Sequence, residues 1–280
     1  MRVLVTGANG FIGKHLLRVL LKHPECEVWG MVRTAGSLSE FENVREVVHD
    51  VADAGEGLFE ALGQPDVVVH LAWGELSNFK SAVHVEQLLP VHTAFVDALH
   101  AQGLKRFIGI GTCLEYGLQE GALREDMECF PVTAYGEAKL RMGRHVLELE
   151  RWSAAWLRLF YMMGEGQAAK SIIPQLDAAL AREDEVFNMS GGEQLRDYLD
   201  VTVVARLIAW CVLDGYEGLI NIGWGKPVSV KSLVAARIRD KGGNIELNLG
   251  YYPYPDYEPM AFWADTTKLR ALLREPLEAA

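Results

Sequence analysis

A chain of 280 residues, half of them hydrophobic, has the length to bury a substantial core as one large domain or two interleaved ones. Its formal net charge of −11, with no basic tract, argues against nucleic acid and against an anionic membrane surface as partners. No apolar run reaches the roughly 20 residues of a membrane span, and the cysteines (Cys26, Cys113, Cys129, Cys211) form no CxxC pair. With Met1 leading straight into a strand, these features predict a cytoplasmic protein without a signal peptide.

The first thirteen residues organise the chain. Arg2–Val5 is a short apolar run that fits a central strand buried on both faces of a parallel sheet. Gly7, Gly10 and Gly13 come next, and Phe11–Leu21 reads as a helix. Gly7 permits a tight turn, Gly10 lets a pyrophosphate approach the backbone, and Gly13 lets the helix pack close to the strand. Asn9, Phe11 and Ile12 complete the cofactor-contacting turn, where helix N–H groups and the positive dipole end face the phosphates.

Val28–Val32 is the second strand, and Arg33 comes directly after it. NAD sites normally carry an acid there, about 20 residues past the last glycine, for the ribose 2′-hydroxyl. A guanidinium grips a 2′-phosphate instead and stacks on adenine, which favours NADP with NAD as the alternative. The bland reading of Arg33 is a solvated side chain at a strand end. Val44–Val48 is the third strand, with Asp50 and Val51 after it, where an acid and the next N–H can meet the adenine edge.

Phe59–Leu62 closes a short helix, and Val67–Ala72 is the fourth strand. Leu71, Ala72 and Trp73 lie at its carboxyl end, where open α/β sheets place their ligands. A helix over Val85–Ala101, a fifth strand over Phe107–Gly111, a helix holding Tyr135 and Lys139, and a sixth strand over Trp156–Phe160 continue the alternation. Such regularity predicts an α/β Rossmann fold, a doubly wound parallel sheet with right-handed crossovers. Beyond Gly166 the pattern loosens into helices at Ser171–Leu180, Thr202–Leu213 and Val230–Arg239, with strands at Glu185–Met189 and Leu219–Ile222. The expected division is a cofactor domain over 1–164, to which 200–223 return, and a smaller substrate lobe from 165–199 and 224–280.

Tyr135 and Lys139, spaced i, i+4, share one helix face. A tyrosine titrates near pH 10, and a nearby ammonium stabilises its phenolate and lowers that value toward a useful range. Thr112 stands at the carboxyl end of the fifth strand, where its hydroxyl can bond a substrate oxygen. A YxxxK pair alone arises by chance on amphipathic helices; the glycine turn, Thr112 and this helix in order around one sheet edge make it specific. No HExxH, Cys/His cluster, GxSxG or P-loop lysine appears, so no metal site is expected.

With these residues in place, the chain resembles the extended short-chain dehydrogenase/reductase family of nucleotide-sugar epimerases, dehydratases and ketoreductases. The matching segments are TGANGFIG (6–13), HLA (70–72), GTCLEYG (111–117), YGEAK (135–139), RDYLDV (196–201), NIG (221–223) and ADTTK (264–268). The resemblance implies NAD(P), a Thr112–Tyr135–Lys139 triad and a nucleoside-diphosphate hexose in the cleft. It further implies that Lys139 holds the nicotinamide ribose and that Arg196 meets the substrate diphosphate; a structural salt bridge with the surroundings of Asp197 is the bland alternative for this arginine. Cys113 and Leu114 stand where the family's 4,6-dehydratases carry an acid pair, so dehydration is not expected. Cys113 reads as a small packing residue bordering the substrate, and Tyr161 stands where many members carry asparagine. HLAWGELSNFK and GTCLEYG look most like a subgroup of 4-ketoreductases acting on dTDP- or CDP-linked 4-keto-6-deoxyhexoses. An epimerase that retains NAD is the alternative, and a non-catalytic NAD(P) sensor is disfavoured by the complete triad. Apolar residues on more than one face of the helices around 82–101 and 135–150 predict a homodimer through a four-helix bundle.

Overall fold

Val3, Leu4 and Val5 of β1 (Arg2–Thr6) are fully buried, because the strand is covered on both faces. The computed structural model, which describes residues 1–273, places β1 in a sheet with β2 (Glu27–Val32), β3 (Arg45–Val48), β4 (Val67–His70), β5 (Arg106–Thr112), β7 (Ser153–Leu159) and β12 (Gly218–Ile222). The spatial order is β3-β2-β1-β4-β5-β7-β12, and every pairing is parallel. This is the Rossmann α/β fold predicted from the sequence. The order reverses between β1 and β4, so a crevice opens beyond their carboxyl ends.

The period of two along β1 divides the core. Val3 and Val5 pack with Leu16, Leu17 and Leu20 of α1 (Phe11–Leu20) and with Val204 and Ile208 of α6 (Val201–Leu213). Leu4, on the other face, packs with Phe95 and Leu99 of α3 (Leu89–Ala101) and Met142 and Val146 of α4 (Ala134–Glu148). A third apolar cluster lies apart from the sheet. It joins Leu176 and Ala179 of α5 (Ile172–Ala181), Phe187 of β9 (Val186–Asn188), Val230 and Val234 of α7 (Val230–Asp240), and Ile245. Both α6 and β12 return to the main sheet between these pieces. Residues 274–280 of the expected lobe lie outside the described residues.

Two local expectations change. The helix expected over 85–101 begins as a π turn over His84–Leu88 and becomes α-helical at Leu89. Pro90 lacks an N–H, so an unbroken ladder of i→i−4 bonds cannot run through it. The fourth strand ends at His70 instead of Ala72, because the Ala72 N–H turns away to the Thr6 hydroxyl, 3.1 Å. Of the apolar residues that suggested a bundle, Leu89, Phe95, Leu99, Leu140, Met142 and Val146 are buried within the chain, whereas Val83, Leu88, Leu147 and Leu149 are half-buried. The exposed positions of α4 include Glu137, Arg141, Arg144 and Glu148, a charged surface and not an apolar one. Among the described residues, no helix is long and apolar enough to cross a membrane.

Candidate active site

The glycine turn is built from backbone contacts that side chains would obstruct. Gly7 has φ +63°, and a Cβ there would lie 2.9 Å from the Ala72 nitrogen at the end of β4. A Cβ on Gly13 would run into the Gly7 and Ala8 carbonyls, so α1 can lie this close to the turn only with glycine. The Gly10 N–H closes the turn on Gly7 O at 2.9 Å. Gly10 caps α1 with no side chain, and Asn9 and Gly10 are exposed, so the helix's first N–H groups have no side-chain acceptor. This cradle, with Phe11 and Ile12 half-buried behind it, fits a dinucleotide's phosphates. At the neighbouring strand end, Leu71, Ala72 and Trp73 are half-buried along the same edge.

Tyr135 and Lys139 stand on the first turns of α4, which Thr133 caps by accepting the Gly136 N–H at 3.0 Å. The Tyr135 N–H donates to Phe79 O at 3.0 Å, and the Phe79 ring lies 5.4 Å from the tyrosine ring. Lys139 is buried and donates from Nζ to Ile110 O at 2.9 Å, two residues before Thr112 on β5. Its Nζ lies 4.0 Å from the Trp73 ring centroid and 6.0 Å from that of Tyr135. Thr112 is buried; its Oγ1 accepts the Leu114 N–H at 3.2 Å and keeps its own proton to donate.

The electrostatics differ from the expectation that Lys139 lowers the Tyr135 pKa. Burial raises the Tyr135 hydroxyl above its ordinary value, and Glu115 and Cys113 push it the same way. Burial meanwhile brings Lys139 from its ordinary 10.5 down to about 7, against the opposing charge of Glu115. In the chain alone, Tyr135 is a proton donor at neutral pH and Lys139 holds its proton only partly.

The remaining expected contacts divide. Arg33 is exposed directly after β2, at the carboxyl edge where an adenosine ribose would lie. Asp50 keeps partial exposure but directs Oδ1 to the Ala52 N–H at 2.9 Å, and Val51 is buried in the apolar layer beside it. Cys113 is buried with Tyr116 and Phe160, and burial raises its thiol pKa, in keeping with a packing role. Arg196 is the residue that the resemblance sets at the substrate diphosphate. It is only 3% exposed, and its guanidinium is held by Glu258 at 2.9 Å and by Leu195 O and Met260 O. Glu258 also accepts the Tyr161 hydroxyl, so that residue too is engaged inside the chain.

The family model for the NAD dependent epimerase/dehydratase family matches residues 3–223. The chain belongs to this family. Among its relatives is dTDP-6-deoxy-L-talose 4-dehydrogenase (NAD(+)) of Aggregatibacter actinomycetemcomitans, 25% identical over 94% of this chain and 99% of the relative. GDP-6-deoxy-D-talose 4-dehydrogenase of the same organism is 27% identical over 75% of this chain and 70% of its own length. Among solved structures, UDP-glucuronic acid 4-epimerase of Bacillus cereus in complex with UDP-glucuronic acid and NAD superposes with a TM-score of 0.85. It is 26% identical, covering 100% of this chain and 95% of the epimerase.

Family membership leaves two features that the sequence reading missed. Glu115 is fully buried and accepts the Thr112 N–H at 2.9 Å, the Trp156 Nε1–H at 3.0 Å and the Arg158 Nε–H at 2.7 Å. Its signal was the T-x-x-E spacing of a capping box, which Thr112 and Glu115 form. A second network runs from the glycine turn. Thr6 Oγ1, which accepts the Ala72 N–H, shares a hydrogen bond with His70 Nδ1 at 2.9 Å, and His70 Nε2 shares another with His92 Nδ1 at 2.8 Å. Burial and Lys139 hold His92 neutral, down to about 3, and its ring stacks on Trp73 at 4.4 Å. His84 accepts the Trp73 Nε1–H at 3.1 Å and fixes the indole from the other side.

The buried lysine carries a stability cost of known sign. Its folded pKa lies below its unfolded one, so the unfolded chain binds more protons between about pH 7 and 10 and stability rises with pH across that window. Lys139→Met should therefore stabilise the fold by on the order of 1–3 kcal/mol at pH 6 while abolishing function, with the gain shrinking toward pH 10. Urea unfolding at pH 6 and pH 9.5 measures this; a gain independent of pH would contradict it.

Proposed function

We propose that the protein is a reductase of the 4-keto group of a nucleoside-diphosphate 4-keto-6-deoxyhexose, using NADPH in preference to NADH. Within the cleft, Tyr135 donates the proton, Thr112 holds the sugar oxygen, and Lys139 contributes charge and binds the nicotinamide ribose. When bound, the nicotinamide supplies the hydride. The observation that carries the reading is the convergence of Thr112, Tyr135 and Lys139 on the carboxyl edge beside the glycine cradle. The relatives support the position of the chemistry: two are named as 4-dehydrogenases of 6-deoxytalose nucleotides, and oxidation at C4 run backwards is reduction of a 4-ketone. The absence of an acid at Cys113 and Leu114 sets elimination of water aside. Residues 165–199 and 224–273 are the proposed substrate lobe, since they build the apolar cluster beside the main sheet. A homodimer remains part of this proposal by analogy with the family's helix bundles, with α4 contributing charges to the contact.

The epimerase reading has its own support, in the superposition on UDP-glucuronic acid 4-epimerase with NAD. The decisive experiment incubates the protein with several nucleoside-diphosphate 4-keto-6-deoxysugars and NADPH while absorbance at the nicotinamide band is followed. Net loss of that band supports the reductase; sugar interconversion without it makes the protein an epimerase. Cofactor preference rests on Arg33, because one named relative uses NAD(+) and only the strand-end guanidinium favours the 2′-phosphate. A guanidinium–phosphate pair at a partly exposed site contributes ~1.5–3 kcal/mol, on the order of tenfold to a hundredfold in affinity. Arg33→Asp should weaken NADPH by that factor and leave NADH within a few-fold, as read by cofactor titration. Equal losses for both would remove Arg33 from cofactor choice.

A further inference from the structure

On the face of the sheet away from Tyr135, α1 and α6 descend side by side from the carboxyl edge and leave between them a cavity of about 630 Å³. Ligand pockets typically measure about 300–1,000 Å³, so the space suits a small molecule. Its charge runs against that of the protein. A chain of net charge −11 places Arg18, Lys22 and Arg206 around this one groove, with His15 and His23 beside them and Asp214 as the acid in the lining. Arg18 shares its charge with Glu40 at 3.1 Å, and His23 lies 3.4 Å from Glu25. Among the described residues, no carboxylate forms an ion pair with Lys22 or Arg206. Lys22 and His23 complement the carboxyl end of α1, but Arg206 lies mid-helix and has no such reason to be there. Trp210, one turn further along α6 and half-buried, sets an indole in the same wall.

We propose that this groove binds a nucleoside diphosphate at a site separate from the cofactor and sugar cleft. Arg206, Lys22 and Arg18 take the phosphates, and Trp210 takes the face of the base. Lys22 and Arg206 add their charge to that of Arg18, which Glu40 shares, and a polyanion seated between the two helices is attracted by all three. Phosphate contacts supply charge and the indole supplies area, which is why a nucleotide fits better than a bare phosphate. The groove reaches the cofactor region through His15, whose Nε2 lies 2.9 Å from Glu165 O near the turn after β8 (Tyr161–Met163). Binding here is independent of whether the main cleft reduces or epimerises its sugar.

The test titrates NAD-saturated protein with UDP by calorimetry and compares wild type with Lys22→Gln/Arg206→Gln. Both substituted side chains are exposed, so the fold should survive, and circular dichroism verifies that. The expected result is one UDP fewer per chain in the double variant, or at least a tenfold weaker second site, with turnover unchanged. The difference in count is the readout, so a main cleft that takes no UDP does not alter it. Trp210→Leu should weaken UDP by at least threefold while leaving inorganic pyrophosphate unaffected. Equal UDP counts in wild type and double variant overturn the site. Pyrophosphate binding as tightly as UDP in wild type overturns the nucleotide and leaves an anion patch.

Discussion

Tyr135→Phe should lower turnover by on the order of 10²–10⁴-fold while the cofactor still binds, the range expected when a positioned acid is removed. The substitution deletes one hydroxyl and keeps the ring that packs on Phe79 and against His84. Folding and cofactor affinity should therefore change little, and the loss should fall on kcat. Two features of the site point to donation by this hydroxyl. Burial keeps it protonated at neutral pH, which suits reduction of a carbonyl better than oxidation of an alcohol. Cys113, the other nearby ionisable group without a fixed partner role, has its thiol raised by the same burial and lies in the apolar cluster with Phe160. Single-turnover reduction with a 4-keto sugar separates chemistry from release. A phenylalanine variant within a few-fold of wild type would falsify the assignment, and the proton would then have to come through Thr112 or solvent.

The parts of this site that the sequence disclosed are those governed by local rules. Gly7 and Gly13 are legible because a turn this tight and a helix this close admit no side chain, and the Tyr135–Lys139 spacing is legible because a helix repeats every 3.6 residues. The sheet was legible for the same reason: a run such as Val67–Val69 between turns has few other places to go. What stayed hidden depends on partners distant in the chain. The ion-pair partner of Arg196 could not be read locally, because Glu258 lies 62 residues away. Along the helices around 82–101 and 135–150, a face covered by its own chain and one awaiting a partner read alike in the sequence. Spacing alone suggests that Lys139 lowers the Tyr135 pKa, whereas burial of both groups decides the titration. His92 gave no signal, since its role beneath Trp73 depends on His70 of β4 reaching it on α3.

Glu115→Ala should be the most destabilising single substitution of the site, at about 3–5 kcal/mol. The carboxylate is fully buried and pairs with Arg158, itself 5% exposed, so its removal strands a guanidinium in an apolar interior. It also leaves the Thr112 N–H and the Trp156 Nε1–H without their acceptor. A control distinguishes the stranded charge from loss of packing. In Glu115→Leu/Arg158→Met both charges go together, and buried pairs replaced by apolar residues of similar size are often neutral or better, so much of the stability should return. Turnover should not return with it. Oε1 of Glu115 is what fixes the backbone of Thr112, and a threonine free to shift by a fraction of an ångström no longer holds the sugar oxygen in line. Urea unfolding and kcat measured on the same three proteins therefore answer separate questions. A single variant that loses less than about 1 kcal/mol would show that Arg158 finds water or another acceptor. A double variant with full activity would show that Thr112 is held without Glu115.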